Sequence, residues 1–238
     1  MGTVWALALG GSIALSVLAA QHDRLPGDLR LTEWLQDSPF PGESLSEAVR
    51  AVTSTQVVLV TGFVAAAALG LLGRWRQALA LAVVLAVLPL AQHEIKEIVD
   101  RARPSPELVE VRAGFSSPSF PAGHVMSPMV LYGFLLCSSI WPPGRLVITK
   151  GRQAHHRRVG SARPELVEGR AQGHLPGLVR ATLGTWSAAV LVLSAPANVY
   201  MGVHWPSDVL GGYAWGVVLL LPAVFAAGAS PGQRTRRG

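Results

Sequence analysis

Three short clusters of this chain hold residues able to grip and transform an anion. The first is Lys96, then six intervening residues, then Arg103-Pro104. On a continuous helix, positions seven apart lie two turns apart on nearly one face. Lys supplies a compact charge and Arg a planar fork for two oxygens, which suits an anion with several oxygens. An ordinary basic helix end, with Arg101 paired to Glu97, accounts for the same residues. The second cluster is Pro121-Ala122-Gly123-His124, directly before an apolar run. Glycine lets backbone approach a ligand, free N–H groups at a helix start attract anions, and His124 is a candidate proton donor. The third is His204-Trp205-Pro206-Ser207-Asp208. A carboxylate four residues after a histidine can hold the proton of one ring nitrogen and free the other to attack. A helix-start cap beside a histidine is the plainer alternative. Taken together, two cations, a helix-start histidine and a carboxylate-oriented histidine are what phosphoryl transfer through histidine needs.

These clusters need a scaffold, and the composition points to a membrane. Of the 238 residues, 50% are hydrophobic and only 14% charged, well below the roughly one-quarter usual in soluble domains. Six apolar stretches run at about 4–20, 52–72, 78–91, 125–140, 181–203 and 209–227. Most reach the roughly 20 residues needed to cross a bilayer once their flanks are counted. The third is shorter, but its helical pattern continues through Gln92-His93-Glu94-Ile95-Lys96, and Pro89 is expected to kink it. The expected fold is therefore an all-α bundle of six transmembrane helices, read as one domain over the whole chain.

The formal charge of +6 does not point to nucleic acid, because the basic residues sit in loops between apolar runs. With the N-terminus inside, thirteen of the 20 Lys and Arg fall on the inner side and seven on the outer, in accord with the positive-inside rule. All three clusters then face away from the cytoplasm. Trp75 and Trp141 fall at expected inner boundaries and Trp205 at an outer one. The first stretch also resembles a signal peptide around Val17-Leu18-Ala19, but its start lacks Lys and Arg, which favours a retained helix.

The outer loop from His22 to Arg50 contains Leu29, Leu31, Trp34 and Leu35, which fits a short amphipathic helix lying on the membrane or packing over the site. The inner loop at about 142–177 is basic, lacks apolar periodicity and reads as loosely ordered. Within it, Arg163-Pro164-Glu165-Leu166-Val167-Glu168-Gly169 looks like the peptide read from short repeat elements in some bacterial genes. Its His155, His156 and His174 have no carboxylate or thiolate at metal-ligand spacing, so no metal is expected. The single Cys137 sits in an apolar run and reads as a small buried hydrophobe.

In order and spacing the clusters resemble the superfamily of type 2 phosphatidic acid phosphatases and vanadium haloperoxidases, with its K-x6-R-P, P-S-G-H and S-R-x5-H-x3-D motifs. The stretch from Val199 to Gly212 looks especially close. The resemblance implies that Lys96, Arg103 and Gly123 bind phosphate, that His124 protonates the leaving oxygen, that His204 attacks phosphorus and that Asp208 orients His204. It implies no cofactor. Two positions depart from the pattern. Ala122 replaces the motif serine, and Ala197-Asn198 replaces the serine-arginine pair, leaving Asn198 as an uncharged phosphate contact with Arg101 or Arg112 as candidate substitutes for the lost charge. The implied activity is a phosphatase in a bacterial inner membrane, acting on a lipid phosphate or diphosphate such as phosphatidic acid, phosphatidylglycerol phosphate or undecaprenyl diphosphate. The alternative is a weakened member that binds anionic lipid head groups without turnover. A vanadium-dependent haloperoxidase shares the anion site, but such enzymes are typically soluble, which six spans oppose.

Overall fold

A computed structural model describes residues 2–140 and 176–228, and all secondary structure among them is helical. The elements are α1 (Gly2–Gln21), α2 (Asp28–Gln36), α3 (Glu43–Thr53), α4 (Thr55–Leu71), α5 (Trp75–Val99), α6 (Gly123–Ile140), α7 (Gly177–Tyr200) and α8 (Pro206–Gly228). The six expected apolar stretches correspond to α1, α4, α5, α6, α7 and α8. Of these, α1, α5, α7 and α8 are each long and apolar enough to cross a membrane alone. A fifth crossing is possible if α3 and α4 are taken as one span, bent by 51° where they meet, and α6 is a shorter apolar helix. The protein is an integral membrane protein. The inner loop expected at 142–177, with its histidines and Trp141, lies almost wholly outside the described residues.

The centre of the bundle is apolar. Val58 of α4, Leu81, Leu85 and Leu88 of α5, Val130, Leu131 and Phe134 of α6, and Leu220 of α8 are almost fully buried in one cluster. The outward faces of α1, α4 and α5 leave Leu7, Val17, Val60, Val64, Leu79 and Leu90 exposed, as expected of surfaces solvated by lipid. Helix α1 lies along α8, tied by Trp5 Nε1 donating to the Val218 carbonyl (3.0 Å) and Trp215 Nε1 to Ser16 Oγ (3.0 Å). Helix α5 is continuous across Pro89 and carries Gln92 and Lys96 out to its end at Val99.

Between the crossing helices, the expected outer loop folds into two helices rather than one. On α2, Leu35 packs against Ala122, Val125, Val199 and Val209, while Leu31 and Trp34 point outward. The amphipathic character read from sequence therefore serves packing over the site along one face. Helix α3 lies against α7 and α6. Ser54 separates it from α4 in an extended conformation (φ −60°, ψ 144°) and caps α4 through Oγ accepting from Val57 N. Trp205 departs from its expected place in an interfacial belt: it is 2% exposed, inside the protein at the start of α8.

Close approach of α8 to the start of α6 sets the site's dimensions. A Cβ on Gly212 would lie 2.7 Å from the Ala122 carbonyl oxygen, and one on Gly216 2.6 Å from Met129 Cβ. Backbone at Ala122 cannot yield as a flexible side chain would. Gly212→Ala is expected to destabilise the protein by about 1–3 kcal/mol through overpacking. Gly10→Ala, with nothing within 4 Å of the new methyl, is expected to leave stability unchanged or slightly raised. Apparent Tm in detergent, compared between the two variants, checks this.

Candidate active site

The first cluster does not lie on one helix, as its spacing suggested. Helix α5 ends at Val99, with Asp100 in the left-handed region (φ 43°), and the residue before Pro104 is held away from helical geometry. Arg103 therefore sits in the connection to α6, yet it meets Lys96 all the same. Lys96 Nζ donates to the Pro118 carbonyl, and Arg103 NH2 reaches that carbonyl at 3.4 Å. Arg103 also donates from Nε to the Ser117 carbonyl (2.7 Å) and from NH1 to the Val203 carbonyl (2.6 Å). The segment before α6 is thus the frame that gathers both cations.

His204 enters from the other side. Helix α7 ends at Tyr200, and Gly202 turns the chain at φ 64°, where a Cβ would lie 2.2 Å from the Glu110 carbonyl oxygen. No side chain fits that turn, and it delivers Val203 and His204 to the cluster just before α8 begins. The Nε2 of His204 lies 3.4 Å from Arg103 NH1. Its Nδ1 lies 3.9 Å from Asp208 Oδ2, an ion-pair distance beyond a direct hydrogen bond. Ser119 stands between them: its Oγ donates to Asp208 Oδ2 (2.5 Å) and lies 3.4 Å from His204 Nδ1. A proton on Nδ1 faces these acceptors, which leaves the Nε2 lone pair toward the cations.

Asp208 is itself locked. Its Oδ2 also accepts from Trp205 N (2.8 Å), and its Oδ1 accepts from Arg101 NH1 (2.6 Å). Arg101 does not pair with Glu97. It is 3% exposed and bridges Asp208 to Asp28 at the start of α2, with NH2 to Asp28 Oδ2 at 3.0 Å. Asp28 in turn accepts from Ser207 N (2.9 Å), Ser207 Oγ (2.6 Å) and Leu25 N (2.7 Å). Every carboxylate oxygen of this network has a partner, which a buried ionic cluster requires.

His124, the second residue of α6, sits edge-on to Phe115 with ring centroids 5.9 Å apart. It interacts electrostatically with Arg50, His204, Arg103 and Lys96, so the two histidines and the cations share one site. Beneath it, Gln92 Nε2 donates to Ser127 Oγ (2.7 Å) and reaches toward the Gly123 carbonyl (3.5 Å), tying the start of α6 to α5. Asn198 is placed differently from the rest. It is fully buried, its Nδ2 donates to the Ser194 carbonyl of its own helix (2.7 Å), and its Oδ1 has no partner. Ala122 is also fully buried and brings no side-chain donor. Arg112 is spent on the Tyr200 carbonyl, the Tyr200 ring and Glu110. No group of three or more His, Cys, Asp or Glu able to hold a metal occurs among the described residues.

The profile of the PAP2 superfamily matches residues 77–228, which hold all three clusters. The chain belongs to the PAP2 superfamily. No curated protein sequence matches it. Among solved structures it is similar to a transmembrane PAP2-type phosphatidylglycerolphosphate phosphatase from Bacillus subtilis, at 18% identity and a TM-score of 0.61. That similarity covers 90% of this chain and 92% of the other, and so reaches beyond the residues that the family profile matches. Around the PAP2 motif residues, sequence reasoning missed Ser119, Asp28, Arg50 and Phe115. Ser119 had one legible signal, its place in the Ser-Pro run just before the second motif. Asp28 had only the form of a helix-start acid after Gly27.

Electrostatics favours the neutral form of the His204 ring. Burial pushes its imidazole down to about 4; Asp208 opposes this, while the charges of Arg103 and Lys96 add to it. Burial also lowers Arg103 to about 10, against the pull of Asp208 and with the help of Arg50, and it stays charged at neutral pH. In phosphate-free protein the His204 ring is expected to remain neutral from pH 8 down to about 4, as followed by histidine NMR in detergent micelles. A midpoint near the ordinary value of about 6.5 would contradict the placement. The unfolded chain binds this proton below about 6.5 and the folded chain does not until about 4. The contribution of His204 to stability therefore falls as pH drops across that window.

Proposed function

We propose that this protein is a membrane lipid phosphatase that hydrolyses a phosphomonoester or diphosphate of a lipid through a phosphohistidine at His204. The observation that supports this best is the setting of His204, with Ser119 and Asp208 on its Nδ1 side and Arg103 on its Nε2 side. In this reading Lys96, Arg103 and the backbone at Gly123 neutralise the phosphate oxygens. Nε2 of His204 attacks phosphorus and the bond from phosphorus to the lipid oxygen breaks. His124 gives its proton to that oxygen. The phosphate among the cations supplies the counter-charge for protonated His124. Water then attacks phosphorus, His124 takes a proton from it, the P–N bond breaks and His204 is regenerated. The site lies at the ends of α5 and α8, and the charge bias of the loops supports an extracytoplasmic location in a bacterial inner membrane. A lipid substrate then reaches the site with its chains still in the bilayer, and no metal or cofactor takes part.

A second reading has its own support: the protein binds anionic lipid head groups without turning them over. Asn198 turns its amide into its own helix, and Ala122 offers no donor. Two groups that the motifs use on phosphate are thus missing.

Phosphate release from a panel of lipid phosphates, by purified protein in detergent, separates the two. Release is expected from the wild type and is expected to fall to background in His204→Ala. Acid-labile, base-stable labelling of the wild type by a phosphate-labelled substrate should disappear in the same variant. A folded wild type that binds lipid phosphate but releases no more than His204→Ala would favour the binding reading. Ser119→Ala is expected to lower kcat by about 10²-fold with KM little changed, because the hydroxyl orients the nucleophile rather than holding substrate.

A further inference from the structure

The third motif lacks its arginine, and neither Arg101 nor Arg112 is free to replace it. Arg101 is held by two carboxylates, and Arg112 by Glu110 and the Tyr200 carbonyl. A different guanidinium is present. Arg50 lies in the last turn of α3, a helix that buries Ser46, Val49, Arg50 and Thr53 on one face. Ser46 and Thr53 donate their hydroxyls to the backbone carbonyls four residues back, Gly42 and Val49, at 2.7 and 2.8 Å. Arg50 does not. It is 8% exposed, and its NH1 is buried with no hydrogen-bond partner.

An arginine cannot shed its charge at neutral pH, so burying one without a counter-charge is strongly unfavourable. Its surroundings make the imbalance worse. The Arg50 guanidinium lies 5.1 Å from the centre of the Phe115 ring, and Arg103 lies 4.8 Å from that same centre. His124 meets the ring edge-on. Both His124 and Arg103 feel the charge of Arg50. Two guanidiniums and a histidine around one half-exposed aromatic ring, with a buried donor left over, form a cradle for a multiply charged anion. Helix α3 packs along α7, the helix that carries Asn198, so this charge comes from the neighbour of the position where the motif would have supplied it.

We propose that Arg50 is a phosphate-binding residue of this site, supplied by α3 in place of the arginine missing at Asn198. The inference rests on the lipid-phosphatase reading and names one more group that holds its substrate. The bend at Ser54 turns α3 away from the line of α4 and lays it against α6 and α7, where Arg50 reaches the site. Both guanidiniums lie over the Phe115 ring, at 5.1 and 4.8 Å from its centre, as cation–π partners.

The test uses the full chain in detergent with two readouts: phosphate release from lipid phosphate, and stabilisation against heat by inorganic phosphate. Arg50→Ala is expected to lower kcat/KM by about 10²–10³-fold, as loss of one oxyanion donor does. It is also expected to weaken the stabilisation by inorganic phosphate, and added methylguanidinium should restore part of the activity. If Arg50→Ala does not fold, Arg50→Gln carries the same comparison with the side chain's length largely kept. Wild-type kcat/KM in a folded Arg50 variant would overturn the proposal. So would lost activity with phosphate stabilisation unchanged and no response to methylguanidinium, which would mark a merely structural role. A wild type that neither releases nor binds phosphate would instead sink the phosphatase reading, and this inference with it.

Discussion

A guanidinium buried between two carboxylates holds this site together. Arg101 joins Asp28 at the start of α2 to Asp208 at the start of α8, and all three side chains are almost fully out of solvent. Two negative charges around one positive charge would be costly if any oxygen lacked a donor. Here Ser207, Leu25, Trp205 and Ser119 supply the remaining donors, so every carboxylate oxygen is held in place. What depends on this is the orientation of His204. Asp208 faces that ring with one oxygen while Arg101 holds the other, and Trp205 and Ser119 fix the oxygen nearer the ring.

The arrangement divides the site into a rigid anionic half and an open cationic half. The anionic half lies deep, at the start of α8, and is closed by hydrogen bonds. In the cationic half Lys96 and Arg103 rest on backbone carbonyls, and Arg50 has a buried donor to spare. Neutral backbone carbonyls are weaker partners for these cations than an anionic oxygen would be. The apolar cluster below, between α4, α5, α6 and α8, anchors the helices whose outer ends carry these groups. Contacts as close as those of Gly212 and Gly216 leave α6 and α8 little freedom to slide, which keeps His124 and His204 in fixed relation.

Departures from the motifs gain meaning from this geometry. Ala122 is packed against α8 where the chains nearly touch, and the serine just upstream, Ser119, has taken a role on Asp208 instead. Asn198 is sealed inside α7 and bonds to its own helix, so the position has become part of the packing. The charge it no longer provides has a candidate source on a helix that the motifs do not include.

Much was legible in the residues themselves. The apolar runs gave the membrane class and the six apolar helices, because crossing a bilayer imposes a length and composition that few other structures share. The residues Lys96, Arg103, His124, His204 and Asp208 stood out by side-chain type and spacing, and the structure gathers them around one place. Where each sits was another matter. Spacing alone put Lys96 and Arg103 on one helix face, but Asp100 and Pro104 end the helix, and it is the carbonyl of Pro118, more than a dozen residues on, that brings the two together. Arg101 looked like a partner for Glu97 one turn away and instead joins residues from opposite ends of the chain. Trp205 looked interfacial and is buried. Arg50 read only as one more outer charge. Local sequence determines which chemistry and which helices are available, since those follow from side-chain type and period. Pairing among buried charges was decided by the tertiary structure alone, because an ion finds its partner by distance in space, which the order of residues along the chain does not carry.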